Sequence, residues 1–336
     1  MKKVLNLFTA LLFLAQCPIK ANIPDLPDIK KDGRPKIAVV LSGGGAKGAA
    51  HVGALKVIEE AGVPIDMIVG TSMGAIIGGL YSVGHTPECL DSILRVQDWS
   101  TLLTDRKNEQ EQSFLARERN DNFILNIPLE KKSEKDSLQN TGSKAGIIEG
   151  RNIIKMFQRL IAPEYEGEID FNKLPVRFAC VAVDAASGKE VVFHSGRLDS
   201  AMRASMSIPG AFRPIRKDSM LLIDGGILNN YPVDVARQMG ADIVIGVDVG
   251  EGLYNADRIK NMMDIVNQIA SIYETKKRKS NIKDTNIYIK ANCKGFNIAS
   301  FTNEAIDTLI TRGEEAARAN FDKLKVLADQ LGGNKQ

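Results

Sequence analysis

The chain has 336 residues, with 44 basic and 41 acidic side chains, three His and four Cys. A hydrophobic share of 44% with 25% charged residues is that of an ordinary folded protein, which excludes wholesale disorder and a polytopic membrane protein. One Trp and 6% aromatics exclude a stacking platform for single-stranded nucleic acid. Lys2, Lys3 and Lys20 lie in a removable leader, and without them 41 basic groups face 41 acidic ones, so no global field draws phosphate backbones. Nucleic acid is therefore not an expected partner.

The predicted elements follow in chain order. Met1-Lys2-Lys3 and the apolar run from Val4 to Ala15 read as a secretory signal, too short to span a membrane, with a cut after Ala21. Gln16 before Cys17 speaks against a lipoprotein signal. Residues 22–35, rich in Pro and Asp, read as a tether, and residues 36–330 as one domain. Lys36 to Leu41 is a β-branched run of the kind found in buried parallel strands, and it ends in a glycine cluster. Helix 48–61, strand 66–69 and helix 73–83 follow, a βαβ pattern that predicts an α/β sheet.

Between residues 104 and 140 the charges scatter around one apolar segment, Phe123 to Leu129, and the stretch reads as a surface insertion or lid. Phe123 to Leu129 is the first place expected to touch a lipid surface. Regular alternation resumes with helix 150–161 and strands 176–183, 190–193 and 220–223. Helix 233–239, strand 242–247, a long helix around residues 259–273 and a final helix from Asn303 to Leu327 complete the reading. The long helix ends in Lys276, Lys277, Arg278 and Lys279, which suits a helix C-terminus and, more sharply, anionic lipid. Cys89, Cys180 and Cys293 are far apart with no C-x-x-C pair, so no zinc site is encoded.

Three motifs carry chemistry. Gly43-Gly44-Gly45-Ala46-Lys47-Gly48 lies between a strand and a helix, where backbone N–H groups can hold a negative oxygen. It satisfies G-x-G-x-x-G, but the position where a dinucleotide fold needs a ribose-binding acid holds Val69-Gly70-Thr71-Ser72. A Walker loop fails too, since Ala49 follows Gly48. Gly70-Thr71-Ser72-Met73-Gly74 sits directly between strand and helix, the context of a nucleophile elbow. Asp224-Gly225-Gly226 ends another apolar strand. A nucleophilic Ser needs a proton acceptor, yet no His follows His194, and His51, His85 and His194 read as structural or exposed. A carboxylate must then take the proton directly. Asp224 is favoured over Asp184, which precedes Ser187-Gly188 and reads as a turn former.

In this order the three blocks resemble the patatin-like phospholipase family, whose hallmarks are a G-G-G-x-[KR]-G loop, a G-x-S-x-G elbow and a D-G-[GA] motif. Ala204 to Pro214 also looks like the family's block upstream of the Asp, and the resemblance runs from about Lys36 to Gly250. It implies a three-layer α/β/α fold with a mostly parallel central sheet. Carried over by position, Ser72 would be the nucleophile and Asp224 its base. The amides of Gly44 and Gly45 would form the oxyanion hole, with Gly43 shaping it, and Lys47 and Met73 would meet substrate. The implied reaction is hydrolysis of a phospholipid or lysophospholipid at a membrane surface, without metal or organic cofactor, by an exported bacterial enzyme in the periplasm, at the outer membrane or outside the cell. Acyl transfer to another acceptor and a non-catalytic lipid-binding or secretion passenger domain are the alternatives.

Overall fold

The computed structural model describes residues 34–105, 146–260 and 262–332. The leader, nearly all of the tether and most of the insertion, Phe123 to Leu129 included, lie outside the described residues. β1 (Ile37–Leu41) passes through the glycine loop and a short 3-10 turn (Gly45–Gly48) into α1 (Ala49–Glu60). β2 (Met67–Thr71) leads into α2 (Met73–Ser82), followed by α3 (Pro87–Val96) and α4 (Trp99–Thr104). Beyond the insertion come β3 (Gly146–Ile148), α5 (Arg151–Leu160), β4 (Glu168–Asp170), β5 (Arg177–Asp184), β6 (Lys189–Phe193) and β7 (Ser195–Arg197). Then follow α6 (Leu198–Ser205), β8 (Gly210–Phe212), β9 (Ile215–Lys217) and β10 (Met220–Asp224). The described chain closes with α7 (Val233–Gln238), β11 (Ile243–Asp248), α8 (Met262–Lys283), β12 (Ile287–Lys290), α9 (Asn303–Arg318) and α10 (Phe321–Gly332).

The main sheet has the order β12-β11-β1-β2-β5-β10-β9, with β6 also paired to β5. Its first five strands are parallel, while β10, β9 and β6 run antiparallel to their neighbours. The unbroken apolar runs are explained by burial on both faces. Along β1, Ile37, Val39 and Leu41 enter one core cluster and Ala38 and Val40 another; along β5, Phe178, Cys180 and Ala182 divide from Ala179 and Val181 in the same way. Leu55 and Ile58 of α1, Ile76, Ile77 and Leu80 of α2, and Ile306 and Leu309 of α9 cover the first face. Val233, Val235 and Ala236 of α7 cover the second. The fold is the expected three-layer α/β/α arrangement around a mostly parallel sheet.

The structure adds several short elements to the sequence reading and divides one that it joined. The final helix is two helices, α9 and α10, parted at Ala319-Asn320, where the Asn320 side chain donates to the Ala316 carbonyl at 3.2 Å and ends the first helix without a Gly or Pro. β12 was not expected; it is four residues long, and Ile287 and Ile289 pair in register with Ile245 and Val247 at the sheet edge. α3 is signalled by Thr86-Pro87, whose Thr oxygen accepts the Cys89 N–H at 3.2 Å. Asp105, the last described residue before the insertion, accepts the N–H of Gly150 at 2.7 Å and that of Asn152 at 3.1 Å.

α1 and α9 cross at van der Waals contact because each offers a glycine. A Cβ on Gly313 would lie 1.9 Å from the Ala50 carbonyl oxygen, and one on Gly53 would lie 2.0 Å from that of Ile310. Gly313→Val should therefore force the helices apart and lower stability by about 1–3 kcal/mol. Gly332→Ala, which meets no neighbour, should leave the thermal midpoint unchanged. Parallel thermal unfolding of the two variants measures the difference.

Candidate active site

β1 ends in the glycine loop, and its shape follows from contacts a side chain would block. The Gly43 N–H donates to the Asn230 carbonyl at 3.0 Å, and the Asn230 Nδ2 donates back to the Gly43 carbonyl at 3.2 Å. Gly43 lies so near the next strand that a Cβ would stand 3.1 Å from that of Ser72. Gly45 has φ +56°, and a Cβ there would sit 2.3 Å from the Ile298 carbonyl oxygen, which already accepts the Ala46 N–H at 2.9 Å. The amides of Gly44 and Gly45 meet no acceptor among the described residues, and both residues line a cavity. Gly43, engaged by Asn230, shapes the loop rather than presenting a free donor.

β2 ends at Thr71, and Ser72 turns the chain into α2 with φ 54°, left-handed backbone that a β-carbon resists. The flanking glycines permit the turn: a Cβ on Gly70 would strike the Gly74 carbonyl oxygen at 2.3 Å, and one on Gly74 the Leu41 carbonyl oxygen at 2.2 Å. The Ser72 N–H donates to Ser205 Oγ at 2.9 Å, and Ser205 Oγ donates to the Val181 carbonyl at 2.6 Å, so β5 braces the elbow through one hydroxyl. Ser205 was no sequence-level candidate; it lies in the Ala204 to Pro214 block, with nothing local to mark its role.

The sheet register brings the carboxylate to the hydroxyl. β5 is longer than β2, so Val181 stands beside Thr71 while the antiparallel β10 descends the other flank and sets Asp224 beside Ala182. Ser72 Oγ donates to Asp224 Oδ2 at 2.7 Å, across 152 positions of sequence. Asp224 Oδ1 accepts the Gly226 N–H at 2.7 Å, and the Asp224 N–H is held by the Ser207 carbonyl at 2.9 Å. Ser207 is fixed in turn by the wholly buried Arg203, whose guanidinium also donates to the carbonyls of Glu149 and Arg213. Burial pushes the Asp224 carboxyl up to about 6, against the Gly226 N–H and the Ser72 hydroxyl, which favour its ionised form. The rival Asp184 accepts hydrogen bonds from Ala186, Ser187 and Leu221, which hold it down at about 2. It closes a turn away from Ser72.

None of the three His lines the cavity. His51 is buried, its Nε2 2.7 Å from the Ser42 carbonyl oxygen, and burial pushes it down to about 4. His85 is likewise fixed, against the Leu160 carbonyl oxygen at 2.7 Å.

The cavity holds about 410 Å³ and brings Ser72, Asp224, Gly44, Gly45 and Lys47 to one space, roofed by one face of α8. Lys47 is 3% exposed, and burial pulls its amine below the ordinary range against the opposing pull of Glu251 and Cys293. Met73 does not line the cavity; its side chain packs onto Gly48 in the main core. It is drawn inward because α2 buries most of its face at its first turn. Glu274, which no motif signalled, does line the cavity. One of its carboxylate oxygens has no partner among the described residues, the group accepts a backbone hydrogen bond from Asn230, and burial pushes it up to about 7. Among the described residues no cluster of His, Cys, Asp and Glu could hold a metal ion.

Comparison with known proteins decides the lineage. The patatin-like phospholipase family profile matches residues 39–237, more than half of the chain. The chain belongs to that family. An NTE family protein of Mycobacterium bovis is 31% identical over 221 residues, 66% of this chain and 51% of the relative. The human patatin-like phospholipase domain-containing protein 6 is 35% identical over 216 residues, 64% of this chain and 13% of the relative. The chain thus spans about half the length of the mycobacterial relative, and far less of the human one. Among solved structures, VipD from Legionella pneumophila is similar with a TM-score of 0.47 at 17% identity, covering 86% of this chain and 67% of VipD. The type III effector ExoU is similar with a TM-score of 0.43 at 15% identity, covering 87% of this chain and 53% of ExoU.

In this patatin-like domain the buried Asp224 opposes stability. Its folded pKa of about 6 lies above the carboxyl's ordinary 3.8, so the native state binds the proton more tightly and loses stability as pH rises from about 4 to about 6. The full penalty, about 3 kcal/mol, is present above that window. Asp224→Asn should unfold at higher denaturant than the parent at pH 8, with the gap closing below pH 4. Chemical denaturation across that range measures it.

Proposed function

We propose that the chain is a serine-dependent lipid acyl hydrolase acting on phospholipid or lysophospholipid esters through a Ser72–Asp224 dyad. The 2.7 Å hydrogen bond from Ser72 Oγ to Asp224, beside two loop amides that meet no acceptor among the described residues, carries the reading. Ser72 Oγ attacks the ester carbonyl carbon as Asp224 accepts its proton, and the N–H groups of Gly44 and Gly45 hold the oxyanion. The tetrahedral adduct collapses with cleavage of the ester C–O bond, and Asp224 returns the proton to the departing alcohol. Water, deprotonated by Asp224, then attacks the acyl-serine; as the bond from the acyl carbon to Ser72 Oγ breaks, Asp224 returns that proton to Oγ and the carboxylic acid leaves. A carboxyl near pKa 6 is ionised at neutral pH yet remains a competent proton acceptor, which suits one group to both half-reactions.

Membership of a phospholipase family supports a lipid ester as substrate, and the buried Lys47 amine in the same cavity suits a phosphate oxygen. The positive start and apolar run of residues 1–21 support export. Transfer of the acyl group to an alcohol other than water uses the same adduct, and product analysis with lysophospholipid present distinguishes it.

Ser72→Ala and Asp224→Asn should each abolish hydrolysis of a short-chain ester while the circular dichroism spectrum is kept, and Ser72→Ala should also lose labelling by a fluorophosphonate. Native-like turnover by either folded variant would sink the dyad. Gly45→Ala, which disturbs one oxyanion donor, should lower kcat by the equivalent of about 2.7–4 kcal/mol with a smaller change in KM. The activity of the parent enzyme should rise with pH and level off above about 6, where Asp224 is ionised.

A further inference from the structure

Apolar exposure on this protein is concentrated on one helix. Seven large hydrophobic side chains are exposed among the described residues, and four of them lie on α8: Ile265 at 43%, Ile269 at 47%, Ile272 at 56% and Tyr273 at 71%. Their spacing places them on one stripe of the helix. The same stripe continues through the exposed Lys276 and Lys283, which have no ion pair among the described residues, whereas Lys277 and Arg278, off the stripe, pair with Glu190, Asp234 and Asp248. The opposite face of α8, with Val266, Ala270 and Glu274, roofs the cavity that holds Ser72. One helix thus separates the site from a solvent-facing stripe that is apolar in its first half and basic in its second.

We propose that this stripe is a docking surface for an anionic lipid bilayer, laying α8 in the interface with its isoleucines and Tyr273 at the acyl boundary and Lys276 and Lys283 among the head groups. The proposal rests on the lipid-hydrolase reading for its purpose, but the charge pattern selects the occupant. A second copy pairing through the same stripe would set lysine against isoleucine, because no acidic side chain lies on the stripe to meet the basic half. A bilayer supplies both halves at once: apolar contact for the isoleucines and negative charge for the lysines. A cavity of about 410 Å³ suits a head group with its ester, which leaves the acyl chains of a bound lipid outside it.

The test uses the full chain and vesicles of ether-linked lipid, which cannot be hydrolysed, made of phosphatidylcholine alone or mixed with phosphatidylglycerol. Co-sedimentation should be strong with the mixed vesicles, weak with phosphatidylcholine alone, and reduced by salt. Ile269→Ser/Ile272→Ser and Lys276→Glu/Lys283→Glu should each weaken binding at least about tenfold. Neither pair lines the cavity, so turnover of a soluble short-chain ester should stay at the parent level. Vesicle binding unaffected by both double variants would overturn the proposal, and so would a dimer in light scattering that the same substitutions dissociate while vesicle binding persists. An enzyme that binds vesicles through the stripe but hydrolyses no ester would remove the catalytic reading and leave the docking surface standing.

Discussion

The arrangement depends on a register. β10 runs against β5, so its C-terminal end would point away from the end of β2 if the strands were matched over their length. β5 extends past the end of β2, and β10 pairs only with that extension, Leu222 beside Asp184 and Asp224 beside Ala182. The carboxylate is delivered from the opposite direction to the level of Ser72. A slip of one residue would turn Asp224 to the other face of the sheet and break the contact. The side-chain order along β5, buried on both faces, fixes that register through the whole core.

A second tier of residues holds this geometry without lining up in any short motif. Ser205 ties the strained Ser72 to β5, Asn230 grips the glycine loop by both its amide and its carbonyl, and Arg203 anchors Ser207, which holds the Asp224 amide. Ser72 in left-handed backbone costs on the order of 1–3 kcal/mol, and the buried Asp224 adds to it. Both are sustained by a sheet whose inner strands expose no side chain. Pre-organisation of this kind lets the hydroxyl, its acceptor and the loop amides stand in place before any ligand arrives.

Much of this was legible in the residues. Continuous apolar runs marked β1, β5 and β11, and the spacing of glycines around Ser72 and Asp224 marked sharp turns, because a glycine needed for close approach leaves a local trace. What was not legible depends on distant partners. The sense of β10 is set by its pairing with β5, the break at Asn320 by a side chain ending a helix that periodicity alone would continue, and the inward turn of Met73 by packing on Gly48. Ser205, Asn230 and Glu274 are ordinary polar residues in sequence. Their positions acquire meaning only where strands and helices from far-apart segments converge.

The clasp at Asp105 has a consequence for how such a domain can diversify. Its carboxylate pins the amides of Gly150 and Asn152, so the two rims of the segment between them are joined independently of whatever chain connects them. The entropy of closing a loop grows only with the logarithm of its length. A change in the length of that segment should therefore cost little, and the Ser72–Asp224 hydrogen bond, set by the register of β10 on β5, need not change with it.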